Sequence, residues 1–555
     1  FRNKVTRRRI AGGPEIRYSY DTEGRPLQIR TSDDRICSFE HNGAGRVVQE
    51  ETLVGTTLEY SYEGGRVAKI LETGTGGEGR RRVGLGRDES GRIVSRSVQG
   101  GPAQEFEYDV FGRPVRVAEG DHEIRLAYDD YGNLVAERHA DFEVAHEYDR
   151  RGKRVRRRSS SGWVCESAYD LRGRLVALYC GRSSDPPQVT TFVYGASGKL
   201  DEVRYQGGAR STFRYDATGR LIEEGDEWRG GRRRRRYSWD SRGRVRRWED
   251  SETGELRFAY GPGGHLVDVV GEETAWSVAY DEDGRMVRLD GHDVRRDAHG
   301  RLVQVGETEY RYDSLARVAV RITGAGAMES RLEFDGLHRL RKVETDAGEA
   351  TFRYDAFGRL VARTVGDREL RLRWDGGALM ERLEAEGTVQ HFLQDWSRPL
   401  LVGTSQGVSA FRLDWRGVPV ATFDGGGRRT WASEPWLDGG QPETRPDQPF
   451  GWPGQLWDEA TGLWYNGARW FDQKTWQYLS PDPLGLEGGT EPYDYVRDPN
   501  TECDPLGLIL GVDQEPGGYN GYPPPDFRDT LDEYRSQRGI KNSRNIAILE
   551  LKDGT

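Results

Sequence analysis

Cysteine, methionine and histidine are scarce in this 555-residue chain, which holds only four, three and nine of them. No two of the cysteines, Cys37, Cys165, Cys180 and Cys503, form a CxxC pair, so the sequence excludes a zinc ribbon. Four cysteines in a chain of this length do not make a disulfide scaffold, although the spacing of Cys165 and Cys180 allows one bridge. The histidines form neither an HExxH motif nor a catalytic-triad order, so two common hydrolase classes are excluded as well.

Long apolar runs and a strong charge of one sign are also missing. Because no run approaches about 18 apolar residues, the sequence predicts no membrane-spanning helix. The net charge of −10, from 82 basic and 92 acidic residues, argues against a general nucleic-acid binder. Five consecutive arginines, residues 232–236, are the local exception, and we expect a solvated loop or hairpin tip there. The start "FRNKVTRRR" has no initiator Met and no signal-peptide pattern, so we expect a piece of a longer protein.

Glycine and aromatic residues are abundant, and they recur with a fixed period. The chain has 73 Gly, 15 Trp, 26 Tyr and 17 Phe, which favours short strands joined by tight turns. A unit of about 20 residues repeats along most of the sequence. Examples are "FEYDVFGRPVRV" (106–117), "LAYDDYGNLVAE" (126–137), "FRYDATGRLIEE" (213–224) and "FRYDAFGRLVAR" (352–363).

Each unit has a physical interpretation as a β-hairpin. The aromatic residue ends a strand, the Asp that follows caps backbone N–H groups of the turn, and the Gly supplies a position with φ above zero. An isolated hairpin is only marginally stable, so neighbouring hairpins are expected to pair into one long, twisted sheet. A few units depart from the pattern, with Gly195 and Gly261 in place of Asp and Ala316 in place of Gly.

The YD-x-x-G-R units, which extend from about residue 18 to residue 384, resemble the Rhs/YD-repeat family. That resemblance implies an all-β fold, in which a long spiral sheet forms a hollow cocoon around a passenger and a C-terminal plug closes it. It divides the chain into a YD-repeat shell (1–384), the end of the shell (385–444), an Rhs-associated core (445–508) and the α+β start of a variable toxin domain (509–555).

The stretch 445–508 carries the site that the resemblance implies. "GQLWDEATGLWYNGARWFD" (454–472) is similar to the Rhs-associated core, which in the family is a self-cleaving aspartyl peptidase that cuts after the second D-P-x-G-L motif. Here DPLGL begins at Asp482 and again at Asp504. The resemblance makes these two aspartates catalytic, makes Arg469 their support, and places the cut between Leu508 and Ile509.

The residue types suit that chemistry, but they also have simpler explanations. Two carboxylates held close together share one proton, so one can activate water while the other polarises the scissile carbonyl. Against this, DPLG fits an ordinary type I turn, and Arg469 could serve only as an ion-pair partner. Spontaneous acid scission is a third explanation, because Asp–Pro bonds follow Asp482, Asp498 and Asp504.

The tail 509–555 has a different pattern. "DFRDTLDEYRSQR" predicts a helix that Gly539 ends, and "NIAILEL" predicts a strand. The order resembles the start of a nucleic-acid deaminase toxin, which in complete form would bind zinc, with a nuclease toxin as the alternative. The H-x-E and P-C-x-x-C zinc elements are absent from the chain, and no catalytic residue is assigned beyond Leu508.

Further expectations follow from the resemblance. The shell and the autoprotease would need no cofactor and bind no nucleic acid. The partners would be the chain's own enclosed toxin, a secretion-apparatus spike or chaperone reached through a missing N-terminal region, and an immunity protein. The protein would be made in the bacterial cytoplasm, exported and delivered to a target cell. A passive YD-repeat surface or adhesion protein is the alternative.

Overall fold

The computed structural model describes residues 4–9, 13–272, 275–323, 327–346, 348–395, 397–433 and 448–508. The tail 509–555, with the predicted helix and strand, lies outside the described residues. Within the described ranges, no helix is long and apolar enough to cross a membrane. The only helical elements there are single 3-10 turns at Thr75–Gly77, Gln206–Gly208 and Gly485–Glu487. The all-β prediction is therefore confirmed.

One antiparallel sheet of 42 strands makes up most of the described structure, and each strand pairs with the next one along the chain. In chain order, β1 to β42 are Arg7–Arg9, Glu15–Tyr20, Pro26–Thr31, Ile36–His41, Val47–Glu51, Thr57–Glu63, Arg66–Thr73, Arg80–Arg87, Ile93–Val98, Gln104–Tyr108, Pro114–Glu119, His122–Tyr128, Leu134–Arg138, Glu143–Tyr148, Arg154–Ser159, Trp163–Tyr169, Leu175–Arg182, Gln188–Tyr194, Leu200–Tyr205, Arg210–Tyr215, Leu221–Trp228, Gly231–Trp239, Val245–Asp250, Gly254–Tyr260, Leu266–Val270, Ala275–Tyr280, Met286–Leu289, His292–Arg296, Leu302–Val305, Thr308–Tyr312, Val318–Thr323, Ala327–Phe334, Leu340–Thr345, Gly348–Tyr354, Leu360–Val365, Arg368–Asp375, Ala378–Leu383, Val389–Asp395, Arg398–Thr404, Gly407–Leu413, Pro419–Asp424 and Arg429–Ala432. A second sheet contains β43 (Leu456–Asp458), β44 (Leu463–Asn466), β45 (Arg469–Asp472) and β46 (Gln477–Tyr478).

The repeated Asp and Gly build the turn in the way that the sequence predicts. In the unit after β10, Asp109 Oδ1 accepts hydrogen bonds from the backbone N–H groups of Phe111 and Arg113, both at 2.9 Å. Gly112 has a φ of 82°, a conformation that costs a residue with a Cβ about 1–2 kcal/mol. Asp109 Oδ2 also pairs with Arg113 Nε at 2.6 Å, which fixes the arginine of the motif.

The repeated Tyr and Arg join each unit to the next one. The Tyr128 hydroxyl donates a 3.0 Å hydrogen bond to the carbonyl of Pro114, which opens the return strand of the preceding unit. The Arg113 guanidinium lies over the Tyr128 ring, 4.5 Å from its centroid. The same hydroxyl-to-carbonyl bond recurs at Tyr62, Tyr108, Tyr148, Tyr169, Tyr194, Tyr215, Tyr260, Tyr312 and Tyr354.

The sheet coils, so that strands distant in sequence face each other across successive turns of the coil. His338 contacts Glu72, 266 residues earlier, and Arg359 contacts Glu137, 222 residues earlier. Near the end of the wall, Arg412 contacts Asp226 across 186 residues and Arg429 contacts Glu252 across 177. These contacts span about 19 to 26 strands, so at about 4.8 Å per strand one turn of the coil measures roughly 90–125 Å.

The five arginines at 232–236 correct the sequence prediction of a solvated loop or hairpin tip. They lie inside β22, where alternate side chains point to opposite faces of the sheet. Arg233 and Arg235 are 3% and 1% exposed. Arg235 pairs with Glu224 and Asp250 at 3.1 and 2.8 Å, and Arg412 of the next turn joins the cluster. Buried acids on neighbouring strands thus neutralise Arg233 and Arg235, whereas Arg232, Arg234 and Arg236 lie on the exposed face of the strand.

The second sheet and the loops around it make up residues 448–508. This segment lies inside the coil, and we call it the plug. Phe450, Tyr465 and Trp470 pack on one part of the wall with Phe352 and Trp374. Another group of its rings, Trp452, Trp464, Phe471 and Trp476, packs on a second part of the wall that includes Trp248, Phe258 and Trp276. The plug therefore fills the space between two regions of the wall and is the main hydrophobic core of the molecule.

Buried ion pairs fix the plug to the wall. Asp472, which is 1% exposed, accepts hydrogen bonds from Arg321 Nη1 at 3.1 Å and from the Tyr310 hydroxyl at 3.2 Å. Asp458 pairs with Arg363 at 2.9 Å. Removing one partner of such a pair typically costs about 3–5 kcal/mol, because the remaining charge is left buried and uncompensated. These contacts hold the plug in one orientation.

Candidate active site

The structure brings Asp482, Asp504 and Arg469 together inside the plug. Arg469 opens β45, and its Nη2 atom lies 2.9 Å from Asp482 Oδ2 and 3.3 Å from Asp504 Oδ2. All three side chains are buried, with no more than 4% of any side chain exposed. Two aspartates 22 positions apart in the sequence therefore share a single guanidinium nitrogen.

Both DPLGL copies are turns as well as members of this cluster. Asp482 Oδ1 accepts a hydrogen bond from the backbone N–H of Leu484 at 2.8 Å. Asp504 Oδ1 accepts one from the backbone N–H of Leu508 at 2.9 Å. The turn interpretation and the paired-carboxylate interpretation are therefore compatible, since one carboxylate oxygen shapes the turn while the other faces Arg469.

Asp504 is the more heavily hydrogen-bonded of the two aspartates. Its Oδ2 accepts a hydrogen bond from the Tyr478 hydroxyl at 2.9 Å, in addition to the contact with Arg469. The Asn466 side-chain amide donates to the Tyr478 oxygen at 2.7 Å and to the Asp504 carbonyl at 2.9 Å. Accepting from several donors is the behaviour of an ionised carboxylate.

Asp482 has the opposite electrostatic environment. Burial raises the pKa of this carboxyl to about 7, although the charge of Arg469 and the hydrogen bond from Leu484 act in the other direction. The negative charge of Asp504 adds to the increase. Near neutral pH the Asp482 carboxyl therefore holds its proton for a substantial fraction of the time. A carboxyl with a pKa in this range can donate a proton near neutral pH.

Arg469 is held by more than the two carboxylates. Its Nη1 donates to the carbonyl of Pro492 at 3.0 Å, and its Nε donates to the carbonyl of Gly507. The guanidinium lies over the Tyr478 ring, 3.7 Å from the centroid. The arginine thus joins the loop at Pro492 to the second DPLGL copy and fixes the position of Gly507, one residue before Leu508.

Glycines allow the second DPLGL copy to approach the backbone of the plug. A Cβ atom at Gly454 would lie 2.1 Å from the carbonyl oxygen of Pro505, and one at Gly467 would lie 2.7 Å from that of Leu506. Both positions also have positive φ, 88° and 60°. The motif is therefore in close contact with main chain at both Gly454 and Gly467.

A cavity of about 310 Å³ adjoins the cluster. Asp482, Pro483 and Leu508 line it from the plug, and Phe357 and Trp374 line it from the wall. Leu508 itself is 3% exposed. Ile509, the predicted second residue of the scissile bond, lies outside the described residues.

A metal centre is not part of this arrangement. The described ranges contain no group of three or more His, Cys, Asp or Glu side chains that could hold a metal ion. The donors around the aspartates are an arginine, a tyrosine, an asparagine and backbone groups, which do not suit zinc. The zinc predicted for a complete deaminase toxin would belong to the toxin domain, and the part of that domain in this chain, residues 509–555, lies outside the described residues.

Comparisons with known proteins agree with the fold and the repeat. The Teneurin YD-shell family model matches residues 234–372. The probable deoxyribonuclease RhsB of Dickeya dadantii (strain 3937) is 29% identical over 63% of this chain and 23% of its own length. The double-stranded DNA deaminase toxin A of Burkholderia cenocepacia (strain H111) is 26% identical over 89% of this chain and 39% of its own length. The family model and these relatives support an Rhs/YD-repeat family for this chain.

A solved structure shows the same architecture. The crystal structure of TcdB2–TccC3 superposes with a TM-score of 0.62 at 16% identity, over 89% of this chain and 31% of that one. At 16% identity, this similarity shows only that the two chains share a fold. The chain spans less than two-fifths of the length of the curated relatives and solved structures named here.

Sequence reasoning missed two polar residues of the candidate active site. Tyr478 and Asn466 connect Asp504 to the plug sheet through hydrogen bonds of 2.7–2.9 Å. Asn466 lies in "LWYNGARW", directly before the positive-φ Gly467, and an Asn before Gly reads as a turn residue. Neither residue carried a signal of its own, because their role depends on where the second DPLGL copy folds back.

Proposed function

We propose that this chain is the wall and plug of a toxin-encapsulating shell that cleaves itself between Leu508 and Ile509 by an aspartyl-protease mechanism. The observation that supports this most strongly is the geometry around Arg469, whose Nη2 contacts both aspartates of the doubled motif within 3.3 Å. The peptide N–H of Leu508 is meanwhile bonded to Asp504. A turn without chemical function would not require the two aspartates to share one buried cation.

In the proposed reaction, the ionised Asp504 carboxylate takes a proton from water as the water attacks the Leu508 carbonyl carbon. The Asp482 carboxyl, whose pKa burial raises to about 7, donates its proton to the carbonyl oxygen. In the breakdown of the tetrahedral intermediate, Asp504 gives its proton to the Ile509 nitrogen and a hydroxyl of the intermediate returns a proton to Asp482. The C–N bond then breaks and releases the amine of Ile509 and the carboxyl group of Leu508. Because the bond belongs to the same chain as the catalytic groups, proximity supplies much of the rate.

The released segment is proposed to be a toxin used against competing or host cells, enclosed by the coil until delivery. The names of the relatives RhsB and DNA deaminase toxin A support a passenger that acts on nucleic acid. Between these two, we propose a deaminase, with a nuclease as the second candidate. The same proposal includes export of the protein and its delivery to a target cell. It also includes two partners, a secretion-apparatus spike or chaperone and an immunity protein for the toxin.

The test is the mass of freshly purified chain under denaturing conditions, since a cut fragment can stay enclosed in the native shell. We expect a fragment that begins at Ile509 from the wild type, and only the full-length chain from Asp482→Asn or Asp504→Asn. Asp498→Asn is the matched control, because Asp498 is also buried and also precedes a proline but lies in its own turn with Asn500 and Thr501.

Two other outcomes would reject the proposal. Fragments that begin at Pro483, Pro499 or Pro505 would indicate acid scission of Asp–Pro bonds. A single full-length band from the wild type would favour a passive surface or adhesion protein whose doubled motif serves only as turns.

A further inference from the structure

Two of the four cysteines face each other across one hairpin of the wall. Cys165 in β16 and Cys180 in β17 are direct register partners. Both are free thiols, 7% and 1% exposed, and both belong to the same core cluster. Facing residues of antiparallel strands have Cα atoms about 4.5–5.5 Å apart, inside the range of about 4.4–6.8 Å that a disulfide spans. A bridge would therefore need side-chain rotation but no movement of the strands.

A buried guanidinium lies beside this pair. Arg157 in β15 is the register partner of Cys165 on its other side, and it is anchored by Asp375 at 3.3 Å and by the carbonyl of Phe392 at 2.7 Å. A hydrogen bond from Cys180 and the charge of Arg157 lower the pKa of the Cys165 thiol to about 7, against the effect of burial. Burial raises the pKa of the Cys180 thiol. The two sulfurs thus differ in reactivity, with Cys165 as the nucleophile.

A small void adjoins the two thiols and limits the size of the molecule that can reach them. It measures about 10 Å³ and is lined by both thiols together with Arg157, Trp163 and His391. That volume corresponds to about one water-sized sphere, so it admits at most an oxidant close in size to water, such as hydrogen peroxide, and excludes a peptide disulfide such as glutathione disulfide. The Trp163 ring covers the void, stacked on His391 at 4.5 Å and pressed against the backbone of Gly403.

We propose that Cys165 and Cys180 are a peroxide-oxidised thiol pair that closes a disulfide within the wall. The Cys165 thiolate attacks one oxygen of hydrogen peroxide, the O–O bond breaks, and hydroxide leaves to give a sulfenic acid. The Cys180 sulfur then attacks the Cys165 sulfur, the S–O bond breaks, and water leaves. In total, two thiols lose two electrons and two protons while one peroxide is reduced to two waters.

The bridge would reinforce the wall where successive turns of the coil meet. Arg157, on the strand before Cys165, contacts Asp375 of the next turn of the coil. Ser161, in the loop that joins β15 to β16, contacts Glu381 of that turn. Cross-linking β16 to β17 closes a short loop and so removes conformations from the unfolded chain. The pair lies in the wall, and the inference does not depend on the proposed self-cleavage.

The experiment treats the intact chain with hydrogen peroxide, blocks remaining thiols under denaturing conditions, and maps tryptic peptides by mass. Cleavage after arginine places Cys165 in 159–172 and Cys180 in 175–182, so a bridge appears as these two peptides linked. We expect that species, its loss on reduction with dithiothreitol, and alkylated Cys37 and Cys503. Cys37 is the matched buried control, since Ile29 lies opposite it.

The Cys180→Ser variant distinguishes oxidation of this specific pair from general oxidation of thiols. In Cys180→Ser, a dimedone adduct is expected at Cys165, because its sulfenic acid has no second thiol to react with. Peroxide should raise the thermal midpoint of the wild type but not that of Cys180→Ser. Four alkylated cysteines after treatment, or Cys165 as a sulfinic acid beside an alkylated Cys180, would overturn the proposal, and both outcomes can be read from the wild type alone.

Discussion

At the residue scale, each residue of the repeat motif has its own structural role. Asp109 shapes the turn, Gly112 permits it, and Arg113 pairs with Asp109 and lies over Tyr128 of the next unit. Tyr128 in turn bonds to Pro114 of the preceding unit. The tyrosine therefore belongs to the junction between units rather than to its own hairpin, and this explains why an aromatic residue with a hydroxyl recurs.

Replacing that hydroxyl tests the junction. Tyr128→Phe removes one hydrogen bond of about 1 kcal/mol, and in a chain of this size the thermal midpoint should fall by ~1 °C. Combining it with Tyr148→Phe and Tyr169→Phe, which make the same bond, should lower the midpoint by about 3 °C. Tyr131→Phe is the matched control at 93% exposure. Equal effects of Tyr128→Phe and Tyr131→Phe in calorimetry would contradict the assignment.

The pKa of Asp482 leads to a pH prediction for the proposed cleavage. The reaction needs the protonated Asp482 carboxyl, and the pKa of this group is raised to about 7. The cleaved fraction at a fixed time should therefore fall as the pH rises from about 6 to about 8. Cell-free synthesis at several pH values, stopped in denaturant and followed by mass, measures it. A rate that rises over this interval would exclude Asp482 as the acid.

At the scale of the element, each hairpin depends on one left-handed position. Gly358 has a φ of 80°, and a Cβ added there would meet nothing within 4 Å. Gly358→Ala should therefore destabilise the turn by about 1–2 kcal/mol through backbone conformation alone. Gly43→Ala, at a turn position that is equally open but not left-handed, should be neutral or slightly stabilising. Hydrogen exchange of each hairpin provides the local readout, and similar losses at both sites would refute the explanation.

The hairpins are also the part of the fold that the sequence predicts best. Period-2 apolar patterning and the Asp-x-x-Gly spacing are local signals, and the strands lie where those signals occur. Even Ala316, which replaces the usual glycine, adopts a φ of 63° because the units on either side fix the register of its turn. The placement of the arginines at 232–236 was not predictable, since the acids that neutralise Arg233 and Arg235 come from the neighbouring strands.

The candidate site was predictable only through its motif. Asp482, Asp504 and Arg469 could be named because the doubled DPLGL and the segment before it resemble a known pattern. Tyr478 could not, because its contact with Asp504 arises when the second copy folds back over β46. Long-range closure of this kind leaves no periodic trace in the sequence.

At the scale of the whole molecule, the pKa values of buried acids are shifted in opposite directions in the wall and in the plug. Burial raises the pKa of Asp482 to about 7 and that of Asp498 to about 6. In the wall, Arg359 and His139 lower the pKa of Glu137 to about 2 despite burial, and Arg154 and His146 lower that of Asp375. The folded plug therefore holds protons that the unfolded chain releases, whereas the folded wall releases protons that the unfolded chain holds.

The sign of the resulting pH dependence differs between the two parts. Plug acids contribute stability that is complete below their unfolded pKa of about 4 and is lost as the pH rises through about 6 and 7. Wall acids contribute stability that is present above about pH 4.5 and is lost only as the pH falls through about 2. Between about pH 5.5 and pH 8, protection against hydrogen exchange should fall in plug peptides and stay constant in peptides around Glu137.

The uncleaved Asp504→Asn chain suits this measurement, with exchange rates corrected for their intrinsic pH dependence. Each 1.4 kcal/mol of lost stability corresponds to about a tenfold loss of protection. Adding Asp482→Asn and Asp498→Asn should flatten the plug response and leave the wall unchanged. A wall that loosens first on raising the pH would be inconsistent with these shifts.

The coil also fixes how many repeats can lie between two facing partners. Arg359 and Glu137 meet across 222 residues, and Arg429 and Glu252 meet across 177. Inserting or deleting one unit between two partners would move the later one by two strands, about 10 Å, past its acid. Gains and losses of single repeats between facing partners should therefore be eliminated during evolution, so that related shells keep a constant number of repeats in each turn of the coil.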